Sequence, residues 1–533
     1  MLDLIIRSGF VVDGTGAPGR ISDIGISGER ILITGDLSAT AAQDVIDAAG
    51  LVVAPGFIDI HSHSDFTLLV DPRAQSSIAQ GVTTEVIGNC GHGCAPISDP
   101  AMITGNMYGY TPGAALDWRS TGDFFERLDA VRPAVNIVPM VPNGNLRIAA
   151  MGMEDRAATS SELAEMTAML EEGLEAGAFG FSTGLEYPSE RATTEEESIH
   201  LCSVAARSDG IYSTHTRNRD AHAVEAVEEA IRVGRKAEIS LQISLITPRK
   251  GGPPDTAKKA IESVDRALAG GQDIAFDMHT RLYGFTNLSA SLPPWVSAGT
   301  PDEIAGRLRT PRARESVRHF DSLIASFGRA GWDKVELFTY PADSSLAGRS
   351  ISELTSSGKN PMDTVIDLLA AAAEDIHAPM CVCHAYSENE LLETYQHPVC
   401  TLGSDATALA IDGPLADSVF PGAFTWASWF FRRFVRERKE FTLEEAIEKL
   451  TNQPARRFGL RDRGVIRDGA FADLAIFDPA RFAEQGTMAT PNRLAVGMRH
   501  VLVNGVRTWS AGSETGERGG RVLKRQDDGG LRE

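Results

Sequence analysis

The sequence predicts an α/β fold: a (β/α)8 TIM-type barrel that carries a β-sandwich built from both termini and an inserted lid subdomain. Three observations predict it. Eight apolar segments of strand length alternate with amphipathic helical stretches through the middle of the chain, β-rich signatures sit at both ends, and the alternation breaks once, after Tyr283.

The first fifty residues read as short alternating strands with turns, LDLIIRSGFVVDG, DIGISGERILITG and AAQDVIDAAGLVVAPG. A similar pattern returns in GAFADLAIFDP (469–479) and HVLVNGVRTWS (500–510), so the two ends are expected to pair. Between them the strand candidates are LVVAPGFIDI, TTEVIGNC, NIVPMV, GAFGFSTG, GIYSTH, EISLQISL, DIAFDMH and VCTLGSD, and a count of eight favours closure into a barrel. Stretches 161–175 and 223–236 supply helical apolar faces, EAVEEAIRVG showing the three-and-four spacing. The irregular stretch from about 283 to 345 is too long for a structureless loop and predicts a subdomain or lid. The boundaries drawn are 1–54 and 466–511 for the sandwich, 55–465 for the barrel, and 512–533 for an extended, Gly-rich tail.

With 51 Lys and Arg against 72 Asp and Glu, the formal charge of -21 repels phosphate backbones and anionic lipid, and no basic run offsets it. A small-molecule substrate is expected, not nucleic acid or membrane; the oligomeric state, a homo-oligomer included, stays open. Six cysteines without framework spacing and a start lacking a secretion-signal layout point to the cytoplasm. Apolar runs such as 51–60 fall far short of the roughly 20 residues that span a bilayer.

The sharpest chemical signal is GFIDIHSHSD, where an apolar strand ends in His61 and His63. Residues two apart on a strand share a face, so both imidazoles can aim at one cation. Cys90 ends TTEVIGNC, His215 ends GIYSTH and Asp405 ends VCTLGSD, each where an apolar run meets a loop. Each has a plain structural alternative: the histidines as strand-end caps, Cys90 as a small buried hydrophobe, Asp405 as a helix N-cap, His215 as a supporting group. In a barrel, however, the C-terminal strand ends converge on one mouth, and imidazole, thiolate and carboxylate together suit zinc.

VVAPGFIDIHSHSD, GVTTEVIGNCG with AP at 95–96, GAFGFSTGLEYPS, GIYSTHTR, LPPW at 292–295, LGSDA, LTNQPARRFGLRDRGVIRDGAFADLAIFDP and a terminal GRVL together resemble the N-acyl-D-amino-acid deacylase branch of the amidohydrolase superfamily. The resemblance covers almost the whole chain. It implies His61, His63, Cys90 and His215 as metal ligands and Asp405 as a ligand and proton shuttle. It further implies Tyr187 as a substrate contact, and Arg217 holds the arginine position after the fifth-strand histidine.

The departures are as informative. Where the branch reads Ile-Ser-His-His-Lys after strand six, this chain reads Ile243-Ser244-Leu245-Ile246-Thr247, losing a metal ligand and a lysine that would pair with a substrate carboxylate. Pro142-Asn143-Gly144 replaces a Gly-His-Gly, and His279-Thr280-Arg281 replaces an aromatic segment. His279 is expected as a pocket hydrogen-bonding group, or as a substitute ligand, with His384 a weaker candidate; Arg217, Arg281, Arg249 or Lys250 would replace the lost positive charge. One tightly held zinc is expected, with a second undermined by Leu245.

The expected activity is zinc-dependent hydrolysis of an amide C–N bond by activated water, with Asp405 as general base and acid. The alternatives are an amidase or carbamate-type hydrolase for a neutral substrate, and a binding homologue that keeps the barrel without turnover. Heterocycle deamination ranks lower. GAFGFSTG contains no lysine, which disfavours carbamylated-lysine chemistry.

Overall fold

The computed structural model describes residues 1–110, 114–253, 255–525 and 531–532. Each of the eight apolar segments contains a strand. They are β1 (Phe57–Asp59), β2 (Val82–Ile87), β3 (Asn136–Pro139), β4 (Gly180–Gly184), β5 (Ile211–His215), β6 (Ser240–Ser244), β7 (Ile274–His279) and β8 (Cys400–Gly403). All their pairings are parallel.

These strands form two arcs rather than one unbroken ladder. One arc is β1–β2–β3; the other runs from β8 through β7, β6, β5 and β4 to the short continuation Val141–Pro142. Between β8 and β1 the chain makes an isolated parallel bridge, Ser62 with Ala406, and the Asp405 N–H donates to His61 O at 2.8 Å. The register sets Gly184, His215 and Ser244 level across β4, β5 and β6, and His279 level with Gly403 across β7 and β8. Strand-end side chains from far-apart segments therefore share one layer.

Helices cover the outside as their periodicity requires. The helix Ala223–Lys236 buries Ala226, Val227, Ala230, Ile231 and Gly234, one face at three-and-four spacing. Helices Ser160–Glu175, Glu195–Ala206, Glu388–Gln396 and Leu443–Leu450 each begin with a reciprocal capping box, as in Thr194 with Glu197. Among the described residues no helix is long and apolar enough to cross a membrane.

The two termini do meet. Strands Leu2–Val11, Arg20–Ser27, Arg30–Gly35, Ala42–Asp47 and Val52–Pro55 join Leu474–Phe477, Met498–Val503, Val506–Ser510 and Ser513–Glu514 in one nine-stranded sheet. Its apolar side chains, among them Ile6, Ile24, Ile26, Val53, Leu474 and Ile476, form their own buried cluster. Arg463 ties this sheet to the strand arcs: it pairs with Asp473 and donates to Asn504, whose side-chain amide donates to Asn136 in β3.

Two stretches differ from the sequence reading. The interruption after Tyr283 extends past 345: strands Gly284–Asn287, Val335–Thr339 and Met380–Cys383 form a three-stranded antiparallel sheet with several helices between them. The helix Pro361–Ala371 followed by Met380–Cys383 mimics a further βα repeat in sequence and hides the true end. The tail is docked up to Arg525, with Ile137 N–H donating to Arg521 O and Leu523 N–H donating to Ile137 O, while Val522 and Leu523 are buried. The remainder of the expected extended tail, 526–530 and 533, lies outside the described residues.

Candidate functional site

The C-terminal ends of β1, β2, β5 and β8 bring His61, His63, Cys90, His215 and Asp405 together. His61 Nε2 lies 3.2 Å from Cys90 Sγ, which lies 3.5 Å from His215 Nδ1. Asp405 Oδ1 stands 3.6 Å from His61 Nε2 and 3.4 Å from His63 Nε2. One donor atom each from His61, His63 and Cys90 falls within 4.8 Å of the other two. The histidines and Cys90 are almost wholly buried.

Local structure explains the convergence. Cys90, Leu245 and Asp405 all adopt positive φ, at 54°, 54° and 44°. Such backbone is rare for non-glycine residues and gathers at functional sites, where surrounding structure holds it. The turn carrying Cys90 packs against β4 only because Gly184 has no side chain: a Cβ there would collide with Cys90 O. Leu245 is buried beyond the end of β6, and its N–H donates to Asp277 Oδ1 at 3.0 Å.

The donor set fits a metal. His61 turns Nδ1 to Asp277 Oδ1 at 3.1 Å and His215 turns Nε2 to Glu186 Oε2 at 2.8 Å, leaving the other nitrogen of each facing the cluster. A carboxylate behind an imidazole fixes its orientation and raises its basicity as a ligand. Burial alone would push the Cys90 thiol up, but His61 and His215 outweigh it and hold the thiol well below its usual range. Burial would likewise lower His61 and His63; Cys90 with Asp277 holds His61 well above the usual imidazole value, and Asp405 with Cys90 raises His63 to about 9. For Asp405, burial is overcome by Arg281 and the two imidazoles, which hold the carboxyl well below the usual range. Cysteine sulfur, carboxylate oxygen and imidazole nitrogen, gathered with His61, His63 and Cys90 at the centre, are the ligand types zinc selects.

Beside the cluster lies a small pocket that opens to solvent. His63, His215, Leu245, His279 and Asp405 form its polar and strand-end wall, and Phe285, Leu323, Phe327 and Phe420 supply apolar surface. Tyr187 lines it too, with its ring centroid 4.9 Å from that of His215 and 4.3 Å from that of His92. His279 reaches the pocket but is outside the group of mutually close donor atoms; its Nδ1 is buried without a hydrogen-bond partner, and burial together with Arg281 pushes its pKa well down.

The expected cations are distributed differently from the sequence reading. Arg217 does not line the pocket: its guanidinium binds Glu229 at 2.8 Å and the carbonyls of Arg191 and Thr193. The strand ends at His215, so the alternation that aims side chains no longer holds two residues later. Arg281 is turned onto Asp405 Oδ2 and Ser404 O. Arg249 lines the pocket but is paired with Glu186 and donates to Ser326 Oγ. Lys250 and His384 are half-exposed beside Glu390 and Glu336.

Sequence reasoning missed Tyr108, Glu186, Arg219, Asp277 and Tyr386. Asp277 was accessible to it, standing two residues before His279 on the same strand face. Tyr108 and Tyr386 come from irregular segments that give no periodic signal.

Comparison with known proteins adds an independent line. The family described as the Amidohydrolase family matches residues 44–508. The D-aminoacylase of Alcaligenes xylosoxydans xylosoxydans is 33% identical over 98% of this chain and 98% of its own. A solved D-aminoacylase structure, from work on its binuclear metal centre with one-metal activation and second-metal attenuation, superposes with a TM-score of 0.82 at 31% identity, covering 98% of this chain and 100% of that one. The N-acyl-D-glutamate deacylase of Bordetella bronchiseptica, solved with zinc and a phosphonate mimic of the tetrahedral intermediate, gives a TM-score of 0.80 at 30% identity over 98% and 99% of the two chains.

Proposed function

Since the chain belongs to the amidohydrolase family, we propose that it is a zinc-dependent deacylase that hydrolyses the amide of an N-acyl-D-amino acid. One observation carries this reading: His61, His63 and Cys90 offer three donor atoms within 4.8 Å of one another, with Asp405 Oδ1 beside both histidines at the wall of a pocket. The relatives named D-aminoacylase and N-acyl-D-glutamate deacylase support the substrate class.

Zinc held there would polarise the amide carbonyl and acidify water. The chain's own groups do the rest. Asp405 Oδ1 takes a proton from the attacking water and returns it to the leaving nitrogen, so that a C–O bond forms, the C–N bond breaks, and a carboxylic acid and an amine depart. Arg281 fixes the carboxylate through Oδ2, and Oδ1 faces His61 and His63. Tyr187 and His279 border the substrate. Phe285, Leu323, Phe327 and Phe420 favour an apolar amino-acid side chain, whereas Glu186 already neutralises Arg249.

The two strand arcs are read as a closed (β/α)8 barrel, which the Ser62–Ala406 bridge and the Val141–Pro142 continuation support. The nine-stranded terminal sheet around its own apolar cluster is read as the β-sandwich, with 1–54 and 466–511 as its parts. The insertion is read as a lid, because Phe285, Leu323 and Phe327 reach the pocket from it. Six unpaired, buried cysteines suit a reducing cytoplasm.

Zinc-loaded protein is expected to release amine from N-acetyl-D-leucine faster than from N-acetyl-D-glutamate and to lose that activity on chelation. Absence of turnover of any N-acyl-D-amino acid at full zinc occupancy contradicts the reading.

One zinc per chain is proposed, because Leu245 stands where the resemblance implies a metal-ligating histidine. Leu245→His, at a backbone position already shaped like those of Cys90 and Asp405, is expected to raise bound zinc from one equivalent to two. Plasma emission spectrometry on dialysed protein reads this directly, and a wild-type value of two would rule out the single-ion assignment.

A further inference from the structure

We propose that Arg219 binds the α-carboxylate of the substrate and thereby replaces the lysine that Thr247 does not supply. The proposal rests on the deacylase reading of the same site and names the group that selects its substrates.

Arg219 lies four residues beyond His215, on the loop that follows β5, and lines the pocket with His215, His279, Tyr386 and Asp405. It is 5% exposed. Among the described residues its hydrogen bonds run only to neutral oxygens, from Nη2 to Thr247 O at 3.1 Å and to Tyr386 Oη at 3.0 Å. Its Nε is buried without a partner. Among the described residues no carboxylate lies within ion-pair distance of it.

The other cations near the site are all committed. Arg249 is held by Glu186, Arg281 by Asp405, Arg217 by Glu229 and Lys250 by Glu390. Arg219 is therefore the pocket's guanidinium without a protein anion.

A buried charge without a counter-ion is costly, and a protein that serves neutral substrates gains nothing by keeping one. A carboxylate entering the pocket satisfies it, pairing with the guanidinium charge and accepting a charge-assisted hydrogen bond from a nitrogen that Thr247 O and Tyr386 Oη do not use. Thr247 O and Tyr386 Oη hold Nη2 and fix the plane of the guanidinium. The Arg219–Thr247 contact also explains how the chain loses the lysine without losing the charge: the cation arrives from the neighbouring loop, and the residue at the old position anchors it through its carbonyl. One uncommitted cation provides for one carboxylate, so the neutral-substrate reading loses its main support.

The test compares wild type, Arg219→Gln and Arg219→Lys, all zinc-loaded, on N-acetyl-D-leucine and on its uncharged carboxamide. With charged hydrogen bonds lost, kcat/KM for the acid is expected to fall about a hundredfold in Arg219→Gln, in KM more than in kcat. For the carboxamide it is expected to change less than about threefold, and Arg219→Lys is expected to recover part of the loss. Zinc content is measured in each variant, and equal values exclude a disturbed metal site. Calorimetric binding of N-acetyl-D-leucine in the Asp405→Asn background gives a readout independent of turnover. An acid that binds through Arg219 but is not cleaved by wild type overturns the deacylase reading alone. Equal losses for acid and carboxamide, or acid binding that Arg219→Gln leaves unchanged or that wild type lacks, overturns the assignment of Arg219.

Discussion

Asp405→Asn is expected to lower kcat by at least about a thousandfold while the chain stays folded, because general acid–base contributions of this kind reach 10²–10⁴-fold and the same carboxylate would also be a metal ligand. The side chain does two things at once: Oδ2 accepts from Arg281, and Oδ1 faces His61 and His63 at 3.6 and 3.4 Å. Asparagine retains an oxygen for Arg281, and the backbone bond from residue 405 to His61 O is unaffected. What it removes is the proton acceptor. Steady-state kinetics on protein of measured zinc content separates the two effects; kcat within tenfold of wild type at equal zinc would remove Asp405 from the chemistry.

Cys90→Ala is expected to abolish stable metal retention, with zinc falling from one equivalent to below about a tenth after dialysis, and activity falling with it. Cys90 Sγ is the atom that touches both His61 and His215, so its loss leaves the imidazoles without the anion that links them. The same electrostatics sets a pH dependence. His61 is held well above its usual value and His63 near 9, so zinc must displace protons from them. Zinc uptake therefore releases protons, and apparent affinity weakens as pH falls through neutrality. Isothermal titration in buffers of different ionisation enthalpy counts those protons; uptake without proton release contradicts the cluster as drawn.

Much of this arrangement is legible in sequence because strand geometry is simple. An apolar run sets a strand, period two aims His61 and His63 the same way, and parallel pairing within each arc places Cys90, His215 and Asp405 at the same, C-terminal ends of their strands. The eight strand segments and the helix over 223–236 follow from apolar periodicity alone. Legibility stops where the chain leaves regular structure. Arg217 follows the strand-end histidine but points to Glu229, while Arg219, two residues on, reaches the pocket. No pattern in a loop encodes that choice; it is made by Thr247 O and Tyr386 Oη, and Tyr386 is 167 positions away. The insertion's end at Met380–Cys383 is hidden for a related reason: a strand after a helix reads the same whether it joins the parallel arcs or an antiparallel sheet of its own.

The proposed activity depends on a cation sitting among side chains that are distant in sequence. Anomalous diffraction at the zinc edge from crystals of the active, zinc-loaded protein tests it most directly. The expected map has one strong peak within the cluster of His61, His63, Cys90, His215 and Asp405. A peak elsewhere, or none in protein that turns over at full rate, would contradict it.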